Sequence, residues 1–153
     1  MKRIVVACVC LVVLALAAPL FAQSSEIALT RQVIQTERQA LVTAAMELTE
    51  QEGAVFWPLY REYREAMAKV GDRGQALIVD YAAKYATLTD ADAQLMLDEM
   101  VAIDQEALKV RKDYVKKFGK VLPAKRVARF FQIENKMDTI IKAELVQEIP
   151  LAR

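Results

Sequence analysis

Apolar side chains recur at intervals of three and four residues along most of this chain, and few residues interrupt the rhythm. The longest series runs from Phe56 to Leu88 and keeps its phase across Gly71 and Gly74. The 153 residues include only four glycines and four prolines. Because this period is that of one helix face, and because glycine and proline are the usual helix breakers, the sequence predicts long α-helices. No segment shows the alternation typical of a strand.

The apolar series predicts a first helix of about Glu26 to Glu47 with a narrow stripe. A second helix is predicted to begin at Thr49 and to continue through both central glycines for about 38 residues, on the order of 57 Å. The continuity of the second helix is predicted from the phase of the apolar series, since a turn at the glycines would normally reset the pattern.

A third helix is predicted from Asp90 to about Phe118, with Gly119 as a left-handed C-cap. A fourth follows Pro123 and ends before Pro150. Because the connections are short, sequential neighbours should be antiparallel. The predicted fold is therefore all-α, an elongated set of antiparallel α-hairpins with about four helices, two of them long.

The N-terminus has the pattern of a secretory signal peptide. Lys2 and Arg3 precede an uncharged apolar run from Ile4 to Ala18, and a small residue, Ala22, stands before a polar stretch. We predict a cleavable signal peptide over residues 1–22, cut after Ala22, and a periplasmic location. An uncleaved N-terminal anchor is the alternative.

Cleavage would leave residues 23–153, enough for a single all-helical domain without disulfides, because both cysteines lie in the leader. The whole chain carries 21 Lys and Arg against 20 Asp and Glu, and the loss of Lys2 and Arg3 leaves 19 against 20. This balance predicts no polyanionic partner, and export argues against nucleic acid as a ligand.

Two segments forty residues apart share a leucine, a threonine and an acid three residues after the threonine: Leu48, Thr49 and Glu52, then Leu88, Thr89 and Asp92. A threonine N-cap can accept from an orphan backbone N–H, and an acid three residues later can accept from the N–H of the cap. The pattern predicts two capping boxes that begin helices, each stabilising by about 1 kcal/mol.

Behind a signal peptide in an all-helical chain, these two segments resemble the LTxxQ-motif family of periplasmic proteins, the Spy/CpxP-like proteins. The last motif position is Glu52 in one copy and Asp92 in the other, where the family has glutamine. The resemblance implies a helical hairpin protomer that pairs into a cradle-shaped homodimer and holds unfolded envelope proteins without ATP.

The family's zinc-binding branch does not carry over, because the chain has no histidine and its cysteines lie in the leader. We predict no metal and no cofactor. The only serines are Ser24 and Ser25, so hydrolytic triads are excluded and no catalytic residue is predicted. We expect a protein that is not an enzyme.

Charge is unevenly distributed along the second half of the chain. Seven acids lie between Asp80 and Leu108, and nine bases follow between Lys109 and Arg129. The helix macrodipole explains much of the pattern in the third helix, but bases in the first turns of the fourth helix oppose the dipole. The free-energy cost of these bases predicts a partner for them. It could be internal, either the acidic half of the third helix or a second protomer. It could instead be external, either an acidic client or phosphates at a membrane surface.

The candidate contact residues are six bases and an adjacent phenylalanine pair, of which one member is expected at the surface: Lys116, Lys117, Lys120, Lys125, Arg126, Arg129, Phe130 and Phe131. A mixed basic and apolar helical surface favours a chaperone-like protein that binds unfolded or misfolded envelope proteins. The alternative is a regulatory or structural envelope protein that binds one specific protein. A weak contact with an anionic membrane surface is a third possibility.

Overall fold

A computed structural model describes residues 36–152, except for the side chains of residues 144–146 and 148. The described residues form four helices and no strand, which confirms the all-α fold. Residues 36–46 are helical (α1), and the others are α2 (Glu50–Lys84), α3 (Asp90–Gly119) and α4 (Ala124–Glu148). The predicted signal peptide and the predicted start of the first helix at Glu26 lie outside the described residues.

The chain divides into two units at residues 45 and 46, and the second unit, Met46–Arg153, contains α2, α3 and α4. Within it, α2 continues without a break across Gly71 and Gly74, as the phase of the apolar series predicts. Its 35 residues correspond to a length of about 52 Å at 1.5 Å per residue.

The helices α2 and α3 form an antiparallel hairpin. The ring of Phe56 near the start of α2 packs against Phe118 near the end of α3, with centroids 5.3 Å apart. Near the turn of the hairpin, Lys84 faces Asp92 across an N–O distance of 3.6 Å. The start of α2 thus contacts the end of α3, and the end of α2 contacts the start of α3. This is the antiparallel arrangement that a short connection requires.

The fourth helix lies along this hairpin, antiparallel to α3 and parallel to α2. Its first turns place Phe130 4.9 Å from Phe118, and one turn later Glu134 accepts from Arg64 of α2 at 3.0 Å. Just beyond its end, the carbonyl oxygen of Pro150 accepts from the Tyr81 hydroxyl at 2.9 Å. Contacts with α2 therefore occur in the first turns of α4 and just beyond its end.

An aromatic cluster fills the core where the start of α2, the end of α3 and the start of α4 meet. Its buried members are Phe56, Tyr60, Tyr63, Tyr114, Phe118 and Phe130. Most of their ring pairs meet edge-on or tilted, a geometry that the aromatic quadrupole favours, and each such pair adds about 0.5–1.5 kcal/mol beyond burial. The hairpin therefore has one heavily packed end.

The prediction of a left-handed C-cap at Gly119 is wrong. Gly119 belongs to α3, no described glycine has a positive φ, and the cap is Lys120 with φ −81°. The helix ends instead in a tight hydrogen-bonded turn. The N–H groups of Val121 and Leu122 both donate to the Phe118 carbonyl, at 3.0 and 2.9 Å. Burial of Leu122 anchors this turn, so a left-handed residue is not needed.

Candidate binding surface

Two of the predicted basic contact residues have partners inside the protein. Arg126 donates to the Met46 carbonyl at 2.7 Å and pairs with Glu52 at 3.3 Å. Arg129 lies 3.6 Å from a carboxylate oxygen of Glu47. Two of the three bases that oppose the α4 dipole, Arg126 and Arg129, are therefore paired with acids that flank the start of α2.

Glu52 links this cluster to the cap of α2. Its carboxylate accepts from the Thr49 N–H at 3.0 Å, and its own N–H donates to the Thr49 hydroxyl oxygen, which completes the capping box. The backbone hydrogen bond from Thr49, with Arg126 nearby, lowers the pKa of Glu52. Thr89 and Asp92 form the same box at the start of α3. Both boxes that the sequence predicts are present.

Two more candidates are also occupied internally. Phe130 is fully buried in the aromatic cluster and cannot contact a client, whereas Phe131 is only partly buried. Lys117 lies 4.3 Å from the centroid of the Tyr114 ring and 3.4 Å from Glu62, so its charge already has a cation–π and an ionic partner.

Three candidates remain at the surface without such partners. Lys116, Lys120 and Lys125 are exposed, and none of them makes an ion pair or hydrogen bond with a residue that the structure describes. Lys109 and Lys112 share both properties, although the sequence did not single them out as contact residues. Three of these five lysines lie in α3 and Lys120 directly follows it, so the end of α3 carries a group of accessible bases close together.

Three acids of α3 are paired with bases of α2. Arg73 of α2 donates to both oxygens of Glu99 at 3.0 and 2.9 Å and also pairs with Glu106. Lys84 pairs with Asp92. The first half of α3 is thus partly neutralised by α2, whereas the second half, residues 105–119, carries five bases against two acids and has a net positive charge.

A row of aliphatic side chains accompanies these lysines. Leu97, Val101, Leu108 and Val115 are 53, 49, 52 and 44% exposed, and their spacing of four and seven residues places them on one side of the helix. The row spans about 27 Å. We call this row, together with Lys109, Lys112, Lys116 and Lys120, the α3 outer face.

The two rows lie side by side along the second half of the helix. At 100° per residue they are separated by about a quarter of a turn. Leu108 and Val115 therefore have lysine side chains directly beside them. Such a surface can bind apolar groups and anionic groups at the same time, and the lysine methylenes extend its apolar area.

Sequence reasoning missed the aliphatic row, although a signal for it exists. The core-facing series of α3 includes Ile103, Tyr114 and Phe118, and it accounts for one apolar stripe. Leu97, Val101, Leu108 and Val115 form a second stripe with its own helical spacing. A helix with two stripes has more apolar surface than one neighbouring interface needs, which would have indicated a further contact.

Comparison with known proteins found no matching family model, no matching curated protein and no matching solved structure. None of the described helices is both long enough and apolar enough to cross a lipid bilayer. Among residues 36–152, no three metal-binding side chains come together as a possible ion site.

Proposed function

We propose that this protein is a periplasmic, ATP-independent, chaperone-like protein that binds unfolded or misfolded envelope proteins through the α3 outer face. The observation that carries the proposal is the row of four half-exposed aliphatic side chains beside four lysines without described partners. Extended apolar exposure is typical of interaction surfaces. The predicted signal peptide and the resemblance to the Spy/CpxP-like family support the same role.

The chemistry of the face suits loose and reversible binding. Complete burial of each half-exposed aliphatic side chain would contribute roughly 1 kcal/mol, so a bound segment would gain only a few kcal/mol from the row. Lysine side chains would speed the encounter with clients and could adapt to many sequences. A client held this weakly can leave without ATP, and the proposed role needs no catalytic residue, metal or cofactor.

Aggregation of a reduced or heat-unfolded client, followed by light scattering, tests the proposal. We expect the wild-type chain to suppress scattering and the Leu108→Ser/Val115→Ser variant to suppress it much less. The control is Val79→Ser/Ile140→Ser, because these side chains are both 61% exposed and lie outside the face. Absence of suppression by the wild-type chain at several-fold molar excess would refute the proposal.

The breadth of binding separates this role from a regulatory or structural envelope protein with one partner. A pull-down from envelope extract should recover many partners in substoichiometric amounts. Recovery of one stoichiometric partner would instead indicate the regulatory role. The homodimer and the weak anionic membrane contact stay predictions, which sedimentation of the full chain and liposome flotation would test.

A further inference from the structure

We propose that the lysine row makes the α3 outer face selective for polypeptide segments that combine aliphatic and acidic side chains. This inference rests on the proposed function and specifies its client class. It concerns Lys109, Lys112, Lys116 and Lys120, of which the first two were not among the residues expected to make contact.

The first reason is the contrast between the two halves of α3. Glu99 and Glu106 are paired with Arg73, and Asp92 is paired with Lys84, so α2 already satisfies these acids. The four lysines of the row have no ion pair or hydrogen bond with any described residue. Asp113 is the one acid among these lysines in the sequence, so the face keeps a net positive charge, and its complement is an anionic partner.

The second reason is that the row has a cost within the helix. Lys112 and Lys116 are four residues apart in the helix, and like charges at this spacing destabilise a helix by about 0.2–0.5 kcal/mol per pair, a cost that Asp113 between them offsets in part. The macrodipole offsets this only in the last turn. Lys109 and Lys112 lie about three and two turns before the helix end, where the dipole gives little help.

The third reason is the position of the lysines relative to the aliphatic row. Lys109 follows Leu108 directly, and Val115 lies between Lys112 and Lys116 in the sequence. A segment that packs on Leu108 and Val115 would exclude water from the neighbouring ammonium groups. Carboxylates in that segment would then gain from the lower local dielectric, whereas bound lysines would be repelled.

Fluorescence anisotropy with two labelled, unstructured peptides tests the selectivity. The peptides share leucine, valine and serine, and one carries glutamates where the other carries lysines. We expect the full chain to bind the acidic peptide about tenfold more tightly at low salt, as a few exposed ion pairs would provide. High salt should reduce the difference because it screens exposed charges.

Charge reversal within the row provides the matched comparison. Lys112→Glu/Lys116→Glu should abolish or invert the preference, and far-ultraviolet circular dichroism should confirm that it stays helical. Lys136→Glu/Lys142→Glu makes the same change in net charge at exposed positions of α4, and it should retain most of the preference.

The outcomes separate this inference from the proposed function. Equal affinity of the wild-type chain for both peptides would overturn the selectivity but leave client binding intact. Equal loss of preference in both charge-reversal variants would show that net charge decides, which also overturns the inference. Binding of neither peptide, with no suppression of aggregation, would remove the proposed function itself.

Discussion

At the scale of single residues, the most shielded polar groups lie around Tyr63. Its side chain is fully buried, its hydroxyl has no hydrogen-bond partner among the described residues, and Glu134 from α4 is only 2% exposed. Burial, together with the negative charge of Glu134, raises the pKa of Tyr63 to about 12. The folded protein therefore favours the neutral phenol more strongly than the unfolded chain does.

This pKa predicts a loss of stability at alkaline pH. A raised pKa in the folded state contributes stability that is complete below the ordinary value of 10.0 and is lost as the pH rises towards about 12. We expect Tyr63→Phe to change stability little at neutral pH and to remove part of the alkaline loss. Urea unfolding of both proteins at about pH 7 and about pH 11 checks this. Identical alkaline losses would contradict it.

The two capping boxes give a second prediction at this scale. Thr49→Ala and Thr89→Ala should each lower the free energy of unfolding by about 1 kcal/mol, because each removes an acceptor for an orphan N–H. Hydrogen bonds from Thr89 lower the pKa of Asp92, as those from Thr49 lower that of Glu52.

The stability that the two capping boxes contribute should depend on pH with a definite sign. A lowered pKa contributes stability above the ordinary values of 4.5 for Glu52 and 3.8 for Asp92, and this stability is lost as the pH falls through the folded values. The deficit of each alanine variant should therefore shrink in acid. Denaturant titrations at neutral and acidic pH measure it, with Thr87→Ala in the loop after α2 as the control. A deficit that is independent of pH would contradict an interaction between the threonine hydroxyls and the ionised acids.

At the scale of elements, the middle of α2 carries two glycines that its structure does not require. Neither has a positive φ, and a Cβ added at Gly71 or Gly74 would meet nothing within 4 Å. We expect Gly71→Ala and Gly74→Ala each to stabilise the protein by about 0.5–1 kcal/mol, because glycine loses more backbone entropy on folding. Thermal unfolding measures this, and Ala76→Gly should have the opposite effect. Destabilisation by both alanines would mean that α2 bends or opens here.

The elements also show what a sequence can predict. Phase alone predicted the continuity of α2, and local chemistry predicted both threonine caps, because these features depend on residues within one or two turns. The left-handed cap at Gly119 was predicted wrongly, since burial of Leu122 and backbone hydrogen bonds to the Phe118 carbonyl close that turn. The pairing of Arg126 with Met46 could not be predicted, because residues 80 apart in sequence meet only through the tertiary fold.

At the scale of the whole second unit, aromatic packing and ion pairs hold different parts of the hairpin. Aromatic rings fill one end, whereas Arg73 with Glu99 and Glu106 joins α2 to α3 nearer the turn. Arg64 with Glu134 and Arg111 with Asp138 fix α4 against both helices. The interior side of α3 is used for these contacts, and the aliphatic row of its outer face stays exposed.

Phe130 should be the critical residue of this packing. It is fully buried among rings from all three helices, so Phe130→Ala should cost about 3–5 kcal/mol. Phe131 is only partly buried, and Phe131→Ala should cost clearly less. Urea unfolding of the two variants tests the difference. Equal losses would contradict the position of Phe130 at the centre of the core.

Site-specific photo-crosslinking tests client binding by the α3 outer face most directly. A photoreactive residue would replace Leu108 in one full-length chain and Ile140 in another, since both side chains are exposed and only the first lies on the face. We predict strong crosslinks to an unfolded client from position 108, weak ones from position 140, and none from either position to the same client when folded. Equal yields from the two positions, or none from position 108, would contradict binding by this face.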